Sequence, residues 1–165
     1  MDVAVPDWAT WEPTMLATLL FIVEGDRVLL IRKKRGIGAG KINGPGGKIE
    51  PGETALECAV RETIEEIGVT GFDPVEHGEL LFHFTDGLKL HCRVFVSHSH
   101  EGTPIETEEA TPIWFKINEI PYHEMWEDDQ HWLPHVLEKG GSFSGRFVFN
   151  DEAMLWKAIR FTTDE

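Results

Sequence analysis

The chain has 165 residues, 41% of them hydrophobic, which is the size and composition of one domain around a single core. Lys and Arg number 15 against 29 Asp and Glu, a formal net charge of −14. That balance argues against a nucleic-acid polymer as partner, since affinity for polyphosphate chains rests on Lys and Arg. It leaves room for a free nucleotide, whose phosphates a bound metal can neutralise.

The first 13 residues are polar and punctuated by Trp and Pro, and read as an arm that is laid over the domain or partly disordered, with the domain spanning 14–165. No basic segment of a secretory signal opens the chain, and the longest apolar run, residues 16–23, is far short of the ~20 residues of a membrane helix. A soluble, cytoplasmic protein without a membrane partner is expected, and a monomer is the mild expectation for its assembly. Runs 15–23 and 27–32 are rich in β-branched residues and flank Glu24-Gly25-Asp26, a hairpin pattern. Lys33-Lys34-Arg35 is the densest basic cluster. It is either a solubilising strand end or a contact for substrate phosphates or sugar.

Residues 36–47 hold six glycines in twelve positions, an expensive loop to order unless it has a role. Glu50-Pro51-Gly52-Glu53-Thr54 supplies a turn and a helix N-cap, and Gly68 closes the helix. At about 100° per residue Glu62, Glu65 and Glu66 share one face of that helix, and Leu56, Val60, Ile64 and Ile67 gather opposite as the predicted core stripe. Three like charges on one face destabilise a helix unless a cation sits between them; the bland alternative is a solvated acidic face. The neighbouring turns at Gly46-Gly47 and Pro51-Gly52 favour a hard-metal site, and oxygen-only ligands point to Mg²⁺ or Mn²⁺.

Further on, 79–85 and 88–97 alternate around Asp86-Gly87 and predict a second hairpin, with Phe82 and Phe84 on one face and Leu88, Leu90, Cys92, Val94 and Val96 on one face of its partner. Cys58 and Cys92 have no paired spacing, so neither a zinc site nor a disulfide is expected. His98 and His100, in a predicted polar loop, and His131 and His135, in a predicted helix, lack residues to complete a ligand set. An acidic loop at 106–109, a strand at 112–117, an amphipathic helix at 129–139 and a hairpin of 143–149 with 154–161 complete the chain. The order predicts an α+β domain with helices packed on a mixed sheet.

Gly47, five residues, Glu53, seven residues and then Arg61-Glu62-Thr63-Ile64-Glu65-Glu66-Ile67-Gly68-Val69 resembles the signature of the Nudix hydrolases, with Thr63 standing where that family has an aliphatic residue. The resemblance implies an α/β/α sandwich and hydrolysis of a nucleoside diphosphate linked to a further group. It also implies that Glu62, Glu65 and Glu66 bind Mg²⁺, with Mn²⁺ as substitute and the Gly47 carbonyl as a further ligand. Glu109, in the acidic loop, joins that set as an alternative to Glu62 for the carboxylate that takes a proton from water, and Arg61 orients Glu53.

A second stretch, Met125-Trp126-Glu127-Asp128-Asp129-Gln130-His131-Trp132, together with Lys33 to Gly36, Gly38 to Gly40 and Asn43-Gly44, is similar to the MutT homologues of mammalian type within that family, which act on oxidised purine nucleoside triphosphates. This implies substrate contacts from Thr18, Lys33, Asn43, Phe82, Trp126, Asp128 and Asp129. There is a physical reason as well: two adjacent carboxyls in a partly buried site cannot both ionise easily, so one donates and one accepts across a purine edge while Trp126 stacks on the ring. The bland reading is an exposed acidic loop beside a core Trp. Ile37, Ile42 and Pro45 replace aromatics of that branch, which predicts a less aromatic pocket wall. Other Nudix substrates (dinucleoside polyphosphates, ADP-ribose, nucleotide sugars) and a non-catalytic nucleotide sensor are the competing readings.

Overall fold

The computed structural model describes residues 3–162. Its strands are β1 (Met15–Glu24), β2 (Arg27–Lys33), β3 (Ile42–Asn43), β4 (Gly46–Lys48), β5 (Thr70–Phe72), β6 (Val75–Phe84), β7 (Lys89–Ser97), β8 (Ser99–Glu101), β9 (Ala110–Lys116), β10 (Ser142–Asn150) and β11 (Ala153–Thr162). The helices are α1 (Ala55–Ile67) and α2 (Asp129–Lys139). Nine strands form one sheet in the order β11-β10-β6-β7-β1-β2-β3, with β4 added on β1 and β9 on β2. β1 pairs with β7 and β6 with β10 in parallel, and the remaining pairs are antiparallel, so the sheet is mixed.

Alternation along the central strands sends side chains to both faces, and a helix covers each. Leu20, Ile22, Leu29, Ile31 and Phe95 pack against Ala55, Ala59 and Ile67 of α1. Phe21, Leu30, Val94 and Phe147 pack against Trp132, Leu133 and Val136 of α2. Trp132 stacks on Phe143 with ring centroids 4.8 Å apart and meets Phe21 edge-on at 6.0 Å. The result is the expected α/β/α sandwich.

Of the helix stripe expected from the sequence, Ile67 is fully buried, but Leu56 and Ile64 are not. The buried residues of α1 are Ala55, Cys58, Ala59, Thr63, Glu66 and Ile67, while Leu56 and Ile64 are 45% and 44% exposed. Close approach explains the difference: α1 lies near β1 and β4, and small side chains, Ala55, Cys58, Ala59 and Thr63, fill most of the face beneath it. Thr63 is fully buried because its hydroxyl donates to the Ala59 carbonyl at 2.9 Å. At the N-terminus Thr54 and Glu57 close a capping box.

Two segments expected as loops also differ. The glycine-rich segment contains β3 and β4, and the polar segment with His100 is β8, paired to β5. β6 and β9 begin earlier than their apolar patterns, because pairing extends into polar residues once a partner strand is alongside. In the N-terminal segment Trp8 stacks on Trp156 at 5.9 Å and Trp11 Nε1 donates to His83 Nδ1 at 3.1 Å.

Candidate active site

The site begins where β4 wedges between β1 and α1, with Gly47 opposite Thr18 and Gly46 opposite Leu19. A Cβ on Gly46 would collide with the Thr18 carbonyl, and one on Gly47 with the Glu62 carboxylate. Only glycine permits this approach. It lets Gly46 N–H donate to Glu66 Oε1 at 2.7 Å. Cys58, on the floor, accepts from Thr18 Oγ1 at 3.2 Å and donates to the Gly47 carbonyl at 3.5 Å. Burial pushes its thiol upward, so it stays neutral.

Glu66 is only 3% exposed, and desolvation raises its pKa to about 8 against the Gly46 hydrogen bond. Glu62 is likewise raised, chiefly by burial, with the Glu65 and Glu109 charges adding and Arg61 opposing. Arg61 is the hub of the cluster. Its Nη1 donates to Glu62 at 2.9 Å and to Glu65 at 3.1 Å. Nε and Nη2 hold Glu53 at 2.6 and 2.9 Å, and Nη2 also reaches the Lys48 carbonyl at 3.1 Å. That guanidinium holds the Glu53 carboxyl down at about 2. Arg61→Lys therefore keeps the charge and loses the fork. Its expected result is at least a tenfold drop in kcat/KM with a fall of about 2–6 °C in Tm, read by calorimetry alongside kinetics.

Glu109 bonds Arg35 at 3.2 Å, and its charge is felt by both Glu62 and Glu66. Of the basic run, Lys34 pairs with Glu106 at 2.7 Å and Arg35 with Glu109, so those two tie the acidic loop to the sheet rather than face substrate. Lys33 turns inward, donating to the Ile37 carbonyl at 2.7 Å. Among the described residues no three acidic, His or Cys side chains gather at ligating distance around one point. The carboxylate donors nevertheless suit a hard cation that keeps most of its waters and takes one or two carboxylates with substrate phosphates, as Mg²⁺ does. Glu66, buried and without a cationic partner at contact distance, is the observation that calls for such a charge.

A cavity of about 220 Å³ runs from this end, at Gly46, Gly47 and Glu66, past Thr18 and Lys33 to Asn43, Asp128 and Asp129. Phe82, Phe84 and Trp126 line it, so those predicted contacts are brought together. Glu62, Glu65, Arg61 and Glu109 stand outside its lining. The sequence reading missed Leu80, Leu90 and Cys92, which form an apolar wall. Their shared face was legible, but a cavity above it was not. Of the three replaced aromatics only Ile37 reaches the cavity; Ile42 and Pro45 are buried elsewhere, so the wall is less altered than expected.

Asp128 is 1% exposed, and its Oδ2 accepts from Trp132 Nε1 at 2.8 Å. Asp128 Oδ1 and Asp129 Oδ2 are buried without a partner. The pair is thus no exposed acidic loop. Desolvation lifts Asp128 to about 6, opposed by the Trp132 bond. Asp129 is lifted further by burial and then by the Asp128 charge. Burial thus favours a proton on the pair, and a shared proton leaves one oxygen to accept and one hydroxyl to donate. Trp126 beside it is gripped edge-on by Phe84 at 6.2 Å and Phe149 at 5.6 Å. The histidines lie elsewhere: His100 leans on Trp114 and His135 bonds the Thr162 carbonyl.

The NUDIX domain model matches residues 13–136. An oxidized purine nucleoside triphosphate hydrolase of Mus musculus is 41% identical over 138 residues, 83% of this chain and 88% of that protein. One of Danio rerio is 44% identical over 135 residues, 81% and 86% of the two chains. The solved structure of a mutator MutT protein from Bacillus halodurans superposes with a TM-score of 0.80 at 30% identity, covering 88% of this chain and 97% of its own. No helix among the described residues is long and apolar enough to cross a membrane.

Proposed function

From the premise that this chain belongs to the Nudix family of hydrolases, we propose that it cleaves oxidised purine nucleoside triphosphates to the monophosphate and pyrophosphate, removing damaged precursors from the nucleotide pool. The observation that carries the substrate class is the buried Asp128–Asp129 pair, two residues with unpartnered oxygens that line the same cavity as the glycine pair and Glu66. A buried polar atom without a partner is costly unless a ligand satisfies it, and a purine edge bearing both N–H and C=O matches one acceptor beside one donor.

Glu62, Glu65 and Glu66 would hold Mg²⁺, with Mn²⁺ as substitute and the Gly47 carbonyl and Glu109 as further oxygens. Bound there, the cation neutralises phosphate charge and lowers the pKa of water. The chain's own residues do the rest. Trp126 would stack on the base with Phe82 lining the same cavity, Asn43, Asp128 and Asp129 would read its edge, and Thr18 and Lys33 line the way towards the glycine pair. Glu62 or Glu109 takes the proton from the attacking water, and Arg61 keeps Glu53, Glu62 and Glu65 in register. The test is pyrophosphate release from a panel of nucleotides with and without Mg²⁺. Preferential turnover of 8-oxo-dGTP or 2-hydroxy-dATP over their unmodified parents and over pyrimidine triphosphates is expected. Preference for ADP-ribose, a nucleotide sugar or a dinucleoside polyphosphate overturns the substrate reading.

A further inference from the structure

Lys41 has no part in the scheme above, yet its ammonium lies over the ring of Trp126 at the base-reading end. Its backbone is locked on both sides, N–H to the Gly38 carbonyl at 3.0 Å and carbonyl to Lys33 N–H at 3.0 Å. The side chain is 22% exposed, with Nζ 5.4 Å from the centroid of the Trp126 ring and 3.3 Å from Glu152 Oε1 in the turn between β10 and β11. Gly38, three residues before it, has φ +81°, and a Cβ there would strike the Trp126 indole nitrogen. The indole is thus held between the glycine loop, the Lys41 ammonium and the aromatic edges of Phe84 and Phe149.

We propose that Lys41 is a specificity-determining positioning residue, which pins the Trp126 platform and supplies a positive charge to the buried carboxyl pair, so that the pair presents an acceptor as well as a donor to the purine. The proposal rests on the oxidised-purine reading of the site and adds a residue to it. An ammonium near an aromatic face is attracted to it, and a half-buried one is poorly screened, so its field reaches neighbouring carboxyls. The groups acting on Asp129 are few. Asp128 and burial raise it, whereas Lys41 and a backbone bond from Trp126 lower it. Glu127 adds repulsion at Asp128, and the nearby Cys92 thiol and Tyr122 hydroxyl are themselves pushed up and stay uncharged. Without the Lys41 charge the pair shifts towards two protons at neutral pH. It then offers two hydroxyl donors and no charged acceptor.

Two variants and two readouts test this. In Lys41→Met, KM for 8-oxo-dGTP at pH 7 is expected to rise about tenfold, the effect appearing in KM rather than kcat. As pH is raised towards 9, the part due to lost ionisation recovers. Lys41→Arg, which keeps charge and stacking, restores the wild-type KM and pH profile. In the substrate-free protein, ¹³C carboxyl shifts followed against pH give the titration midpoint of the pair directly. It moves upward in Lys41→Met and stays in place in Lys41→Arg. An unchanged midpoint, or a KM change that is the same at every pH, overturns the electrostatic role; unchanged KM overturns the proposal outright. Failure of the oxidised-purine reading looks different: the unaltered protein itself then shows no preference for 8-oxo-dGTP over dCTP.

Discussion

Asp128→Ala raises KM for an oxidised purine triphosphate about a hundredfold and leaves KM for a pyrimidine triphosphate within about threefold, because the base-reading acceptor is lost while the phosphate-binding end is intact. Steady-state kinetics on 8-oxo-dGTP and dCTP give both numbers. Equal effects on the two substrates would remove Asp128 from base recognition. Below pH 4, where Asp128 is protonated in the folded and unfolded chain alike, the variant is also less stable, since Trp132 Nε1 loses its buried acceptor, at a cost of about 1–3 kcal/mol. Asp128→Asn retains an acceptor for Trp132 and separates the two effects.

The same residue makes stability depend on pH in a definite direction. Asp128 is raised from 3.8 to about 6 by burial. Below pH 4 it is protonated whether the chain is folded or not, and it costs nothing. Between about pH 4 and 6 the unfolded chain releases the proton and the folded chain keeps it, so this group's contribution falls as pH rises and is flat above. Asp129, raised further, continues the trend in the same sense. Urea unfolding at pH 4.5 and 6.5 should therefore show Asp128→Asn gaining on the wild type at the higher pH. A constant difference between the two proteins across that window would mean that Asp128 is not held protonated by the fold.

The second large effect concerns the acidic helix. Glu65→Gln is expected to lower kcat by about 10²–10⁴ at saturating Mg²⁺ while the urea midpoint hardly moves. The side chain is half exposed and its hydrogen bond is to Arg61 Nη1, which keeps Glu62 as a partner. Normal turnover at saturating Mg²⁺ would sink its assignment as a ligand. Glu62→Gln and Glu109→Gln, compared by the acid limb of kcat against pH, decide which carboxylate takes the proton: only replacement of the base removes that limb.

Much of this was legible without coordinates because it is local. Helix spacing alone set Glu62, Glu65 and Glu66 on one stretch of α1, although Glu66 lines the cavity and the other two stand outside its lining, and Arg61 pairs with Glu53, Glu62 and Glu65. The same local reasoning failed on Leu56 and Ile64. Amphipathicity assigns the larger apolar side chains to the core, and here the inter-element distance favours Ala, Cys and Thr. Lys34 and Arg35 misled for a related reason, since a basic cluster has no direction until the acidic loop that it pairs with is in place.

What the sequence determined by itself is the family, the reaction-bearing helix and the residue types at both ends of the site, since these reside in contiguous stretches whose spacing is a chemical statement. Only the tertiary structure decided how those ends meet. Pairing of β4 with β1 carries the glycine pair up to Glu66, and the packing of α2 buries Asp128 and Asp129 behind Trp126. Burial raises the pKa of two ordinary acids, and it is set by elements far apart in the chain. Lys41 is the sharpest case: a loop lysine in the sequence becomes, in the fold, the cation that faces Trp126 and acts on Asp129.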